Sequence, residues 1–117
     1  MGLTSGIRHS GEESDIINWT DNYVLHSWMS RHLADYQPGI LTPIDGKTIR
    51  AGITDLQRWL RGRTWPVETP ALWHYGDKEQ AKREDLDRQA WDALHGLQSL
   101  DPEAGDLEYW DIEEQEY

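Results

Sequence analysis

The chain of 117 residues contains neither cysteine nor phenylalanine, and apolar residues make up only 37% of it. The absence of cysteine excludes disulfides, thiol catalysis and cysteine-ligated zinc. No apolar run approaches the roughly 20 residues that a membrane-spanning helix needs, and the first residues lack the apolar segment of a secretory signal. We therefore expect a cytoplasmic protein that does not associate with membranes.

Seven tryptophans and five tyrosines take the place of phenylalanine. Both residue types join a large apolar ring to a polar atom, so they suit half-buried positions, pockets and interfaces. We favour the explanation that these rings fill the core in place of phenylalanine over the explanation that they line a pocket. Seven tryptophans nevertheless exceed what so small a core normally hides, which predicts a homo-oligomer.

The net charge of −11 is unevenly distributed. Residues 101–117 carry eight acidic side chains and no lysine or arginine, which leaves −3 for the other 100 residues. An acidic surface that copies DNA over the whole protein is therefore disfavoured, whereas an acidic tail is indicated. We predict a flexible arm over residues 1–14, one globular domain over 15–112 and an acidic tail over 113–117.

The stretch from Trp19 to Tyr36 predicts the first helix, with Thr20 or Asp21 as its N-cap and Pro38-Gly39 as its end. Apolar and aromatic side chains recur there at steps of three and four, which places them on one helical face. These residues are Leu25, Trp28, Met29, His32, Leu33 and Tyr36.

Two more helices are predicted. Asp45-Gly46 is either a type I′ turn or a helix start, and we prefer a start with Asp45 as N-cap and Gly62 as the end. The helix is supported by apolar residues that recur at steps of four, three and four, namely Ile49, Ile53, Leu56 and Leu60. The third helix should run from Lys78 to Ser99, with an inward face of Leu86, Ala90, Ala93, Leu94 and Leu97.

Strands are expected at residues 72–75 and 107–112, and pairing of the two is one open arrangement. Residues 15–18 could be a strand or a helical turn. The predicted fold is α+β and mainly α, with three helices packed with a small antiparallel sheet.

A ligand site is predicted where aromatic residues precede the third helix, because bases can stack on the rings and phosphate can meet the free N–H groups of a helix start. Asp77 opposes this interpretation, and a plain core strand there is at least as well supported. Arginines of the second helix and its end would add positive charge, although a solvated face or pairing with the acidic tail is favoured for them. The candidate ligand residues are Trp73, His74, Tyr75, Arg50, Arg61, Arg63, Trp19 and His26.

No metal, cofactor or enzymatic site is expected. His26 and His32 are six residues apart, about 120° off a common helical face, which makes them a poor pair of ligands. The chain has no phosphate-binding glycine loop and no hydrolase or metalloprotease motif.

Trp19, His26 and Trp28 follow the spacing Trp-x6-His-x-Trp, and Trp73 to Lys78 form an aromatic run through glycine before a helix. The chain thereby resembles a family of small, mostly uncharacterised phage-encoded proteins. The resemblance implies a phage origin and a host-directed role in the infected cell's cytoplasm.

Two functions are compatible with these residues. The first is non-enzymatic sequestration of a host nucleotide-derived signalling molecule as a counter-defence. The alternative is an acidic inhibitor that binds a host defence protein or blocks a nucleic-acid-binding complex, without binding nucleic acid itself. Its contact residues would be Tyr109, Trp110, Glu113 and Glu114.

Overall fold

The computed structural model describes residues 2–62 and 79–114. These contain three helices and a four-stranded antiparallel sheet, which confirms the predicted α+β fold. The strands are β1 (Gly2–His9), β2 (Ile17–Thr20), β3 (Thr42–Pro43) and β4 (Leu107–Glu114). The helices are α1 (Tyr23–His32), α2 (Gly46–Gly62) and α3 (Glu79–Gln98), and none is both long and apolar enough to cross a membrane.

β1 lies inside the sheet, whose strand order is β2-β1-β4-β3. The predicted flexible arm is therefore wrong for residues 2–9. Leu3, Ser5 and Ile7 alternate with side chains on the other face and are all buried, which is the period of a half-buried strand. Gly6, which made the segment look like a loop, lies against Asp15 and Trp110, where a Cβ atom would be 2.8 Å from the Asp15 carboxylate and 2.9 Å from the indole Nε1.

β4 continues two residues beyond the strand predicted over 107–112. Glu113 and Glu114 consequently pair with Leu3 and Gly2 of β1 and are not part of a tail. The described neighbours of β4 are β1 and β3, while residues 72–75, the partner that we considered, lie outside the described residues. Of the undecided segment 15–18, the last two residues begin β2.

α1 is shorter than predicted at both ends: Trp19 still belongs to β2, and the helix stops at His32, with Leu33 as an extended C-cap. Asn22 is the N-cap, and its side-chain oxygen accepts the Leu25 N–H at 2.9 Å. Asp21, which we considered for that role, has a φ of 55° and accepts the N–H of Leu3 at 2.9 Å. Tyr36 lies beyond the end of α1.

The predictions for α2 and α3 are confirmed to within a residue at the described ends. Asp45 caps α2 by accepting the Thr48 N–H at 2.8 Å. Gln89 of α3 is buried, and its side-chain oxygen accepts the Tyr23 and Val24 N–H groups at 2.8 and 3.2 Å, which ties α3 to the start of α1. The five residues predicted to face inward from α3 are all buried in one core with the inner face of the sheet.

Candidate functional site

A buried carboxylate lies at the junction of α1 and the sheet. Asp111, on the inner face of β4, is 1% exposed. Its carboxylate accepts the Tyr36 hydroxyl at 2.6 Å and the Tyr109 hydroxyl at 2.9 Å, and lies 2.8 Å from Nδ1 of His26. The Asp111 side chain thus links β4 to α1 and to the segment that follows α1. We call Asp111, His26, Tyr36 and Tyr109 the Asp111 cluster.

The hydrogen bonds of the cluster favour an ionised Asp111. Burial by itself would raise the pKa of this carboxyl, but the hydrogen bonds with His26, Tyr36 and Tyr109 outweigh it and lower the pKa. Burial and the Asp111 charge raise the pKa of both tyrosine hydroxyls. The tyrosines therefore stay protonated and donate to a charged acceptor, which is the stronger class of hydrogen bond.

Two predicted ligand residues, Trp19 and His26, belong to separate networks. His26 contacts the Asp111 cluster through Nδ1, and its side chain is 27% exposed. Trp19 is 6% exposed and donates from Nε1 to the carbonyl of Asp92 at 3.0 Å. Trp19 is therefore a core residue at the contact between β2 and α3.

A groove of about 350 Å³ lies between α2 and α3. Trp91 is half exposed in it, and its ring lies edge-to-face with that of His95 at 5.1 Å between centroids. Arg61 is solvent-exposed. The lining residues are Gln57, Leu60, Arg61, Trp91, Leu94 and Gln98. The sequence pointed to Arg61 but not to Trp91, although a tryptophan outside the apolar stripe of an amphipathic helix is a usable signal.

The other arginines of α2 are near acidic partners. Arg50 pairs with Glu103, a residue of the acidic C-terminal stretch, and Arg58 lies 4.0 Å from Asp55. Arg61 has no ion pair with a side chain of residues 2–62 or 85–114. Of the cations predicted for a ligand site on α2, Arg61 is thus the one left for an anion.

The predicted interaction residues of β4 point in different directions. Tyr109 is fully buried, so its prediction as a surface contact is wrong: strand alternation turns it inward with Asp111. Trp110 faces outward and donates from Nε1 to Asp15 at 2.7 Å, with the Arg8 guanidinium 5.5 Å from its ring centroid. Glu113 and Glu114 are exposed.

The remaining predicted ligand residues, Arg63, Trp73, His74 and Tyr75, lie outside the described residues. Within the part of the chain that the structure describes, no three histidine or acidic side chains are grouped as metal ligands would be.

Comparison with known proteins gives no relative: no family model, no curated protein and no solved structure matches the chain.

Proposed function

We propose that the protein binds a small nucleotide-like ligand in the groove between α2 and α3. The observation that carries the proposal is that a half-exposed tryptophan, Trp91, and an arginine without a described ion pair, Arg61, line the same groove. An exposed indole offers a stacking surface for a base. A guanidinium holds phosphate oxygens through two parallel hydrogen bonds.

The rest of the lining suits such a ligand. Leu60 and Leu94 add apolar surface beside the indole, while the amides of Gln57 and Gln98 can both donate to and accept from the edge of a base. The groove volume falls in the usual range of ligand sites, about 300 to 1,000 Å³. Outside residues 101–117 the net charge is only −3, so an anionic ligand is repelled less than the total charge of −11 suggests.

The resemblance to phage proteins gives this binding its proposed role. In an infected cell, a non-enzymatic protein that binds a nucleotide-derived signalling molecule would lower its free concentration and so blunt a host defence. The role as counter-defence depends on the binding, so binding is the step to test first.

Binding can be measured by isothermal titration with AMP, ADP-ribose and cyclic di-AMP. We expect at least one probe to bind, and Trp91→Ala to weaken it about 10- to 100-fold through loss of stacking. Arg61→Glu should weaken the same probe about tenfold or more, because it replaces the phosphate contact with a repulsive charge.

Arg31→Glu is the matched control. Arg31 lies on α1, is exposed like Arg61 and makes no ion pair with a described residue, so this change alters the net charge by the same amount away from the groove. Equal weakening in both arginine variants would assign the effect to net charge and refute the groove. Absence of binding by all three probes at millimolar concentration would refute the proposal.

One observation favours the acidic inhibitor as a second candidate. On the outer face of β4, Ile112 is 48% exposed; the exposed Thr4 of β1 lies opposite it, and the exposed Glu114 follows it on the same face of β4. The half-buried Trp110 and Glu108 continue this row. An apolar strip with carboxylates beside it suits a basic, partly apolar groove of a host protein.

Deleting residues 106–117 would remove a strand of the sheet, so a point variant is the cleaner test of that candidate. An inhibitor that imitates nucleic acid should elute host proteins from immobilised DNA. Ile112→Arg should reduce this elution severalfold, because it places a positive charge on the strip. The control is Ile40→Arg, at an isoleucine 53% exposed that precedes β3. Elution that is unchanged by Ile112→Arg would exclude the β4 strip.

A further inference from the structure

β2 forms one edge of the described sheet, and some of its backbone N–H and C=O groups have no hydrogen-bond partner among the described strands. Backbone hydrogen bonds of an antiparallel pair alternate between residues that bond to the partner and residues that point away. The Asp21 N–H donates to the Leu3 carbonyl at 2.6 Å, and the register then makes Trp19 opposite Ser5 the next bonded pair. The N–H and C=O groups of Asn18 and Thr20 therefore point away from β1.

A cleft of about 460 Å³ lies along this edge, with α3 as its opposite wall. The strand side is lined by Ile17, Asn18, Trp19, Thr20 and the adjoining Asn22, and the helix side by Asp92, His95, Gly96 and Ser99. Close packing sets the spacing of the two walls, because a Cβ atom on Gly96 would lie 2.2 Å from the Trp19 ring. The cleft thus combines a strand edge, a helix wall and mostly polar side chains.

We propose that this cleft binds an extended segment of a partner protein, which adds to the sheet as a strand beside β2. The main chain of the segment would exchange hydrogen bonds with Asn18 and Thr20, the mode known as β-augmentation. The cleft is a different site from the groove between α2 and α3, and binding in one does not depend on the other.

The charges select the chemistry of the segment. Asp92 carries the only formal charge among the described residues that line the cleft; its side chain is 56% exposed and lies 3.6 Å from Arg88 on the same helix. Such an exposed pair contributes little, so the carboxylate remains accessible to a cation of the segment. A lysine or arginine facing α3 would therefore be favoured, and the net charge of −11 favours a basic partner at longer range. A second copy of this chain brings the same net charge, so two β2 edges would approach against mutual repulsion.

The test begins with selection of random nine-residue peptides on the immobilised protein, followed by fluorescence polarisation with a selected synthetic peptide. Asn18→Pro removes the outward N–H, and proline is tolerated in an edge strand where the N–H faces solvent. Asn18→Ala keeps that N–H and is the matched control. We expect Asn18→Pro to weaken binding about tenfold or more, and Asn18→Ala to weaken it less than about threefold.

Hydrogen exchange on the wild-type protein provides a readout that needs no variant. Peptide binding should slow exchange at the amides of Asn18 and Thr20 and leave that of Trp19, which the register pairs with Ser5 of β1, unchanged. The proposal is overturned if no peptide is enriched over the Asn18→Pro protein, or if both Asn18 variants bind equally. A dimer of the free protein that Asn18→Pro dissociates would overturn it too, because a second copy would then occupy the edge.

Discussion

Asp111→Asn should lower the free energy of unfolding by about 3 kcal/mol, the range found when one partner of a buried charged network is removed. Two hydroxyls and an imidazole nitrogen meet at the two oxygens of this carboxylate. An asparagine has one acceptor oxygen and turns an NH₂ group toward a donor, so at least one buried hydroxyl loses its acceptor. Urea unfolding followed by tryptophan fluorescence measures the change.

The pH dependence of that difference tests the cause. The Asp111 pKa is lowered in the folded protein, so the carboxylate contributes stability that is fully present above its unfolded pKa of about 3.9 and is lost as the pH falls through the folded value. The difference between the wild type and Asp111→Asn should therefore be largest near neutral pH and shrink below about pH 4.

Asp35→Asn is the matched control, because it makes the same chemical change on an exposed residue beyond the end of α1. It should change the free energy of unfolding by less than about 0.5 kcal/mol. Tyr36→Phe removes one donor of the cluster and should cost about 1 kcal/mol. An Asp111→Asn effect no larger than that of Asp35→Asn would contradict the role of the cluster.

Gly96→Ala should destabilise the protein by about 2 kcal/mol, although alanine favours helices over glycine by about 1 kcal/mol. The new Cβ would lie 2.2 Å from Cζ2 and 2.8 Å from Cε2 of Trp19. The indole cannot easily withdraw, since it is buried and its Nε1 donates to the Asp92 carbonyl at 3.0 Å. Thermal or urea unfolding would measure the loss.

Two comparisons isolate the contact with Trp19. Gly105→Ala adds a methyl group with nothing within 4 Å and should be nearly neutral. In a Trp19→Leu background the smaller side chain leaves room, so Gly96→Ala should cost less there, and the double-mutant cycle gives the coupling. A stabilising Gly96→Ala in the wild type would show that helix propensity dominates and that the close approach is relieved.

The fold could be predicted where a periodic pattern coincided with a capping residue. In α2 the apolar steps from Ile49 to Leu60 follow a capping aspartate, and the structure confirms both the helix and its cap. β1 was missed because Gly6 and its polar neighbours look like a loop, whereas the space for a side chain at Gly6 is taken by Asp15 and by Trp110, about 100 residues away. α1 was predicted too long because Leu33 and Tyr36 continue the steps of three and four, although the helix ends at His32.

The candidate sites were predictable only in part. Arg61 was found because a basic face can be read from helical phase, whereas its neighbour Trp91 depends on how α2 and α3 pack. Asp111 looked like one more charge of an acidic stretch. Its burial follows from partners 75 and 85 residues earlier in the chain, Tyr36 and His26, which no local pattern connects to it.

The pairing of β1 with β4 joins residues 2–9 to residues 107–114. Closing a loop of about 100 residues costs roughly 4 kcal/mol of chain entropy, so this ladder is unfavourable until other contacts have brought its strands together. During synthesis β1 is made about 100 residues before its partner β4, while α1 and α2 can form from local contacts. We therefore expect slow, late assembly at the middle of the sheet, and a nascent chain in which the β4-facing edge of β1 stays unpaired until β4 emerges.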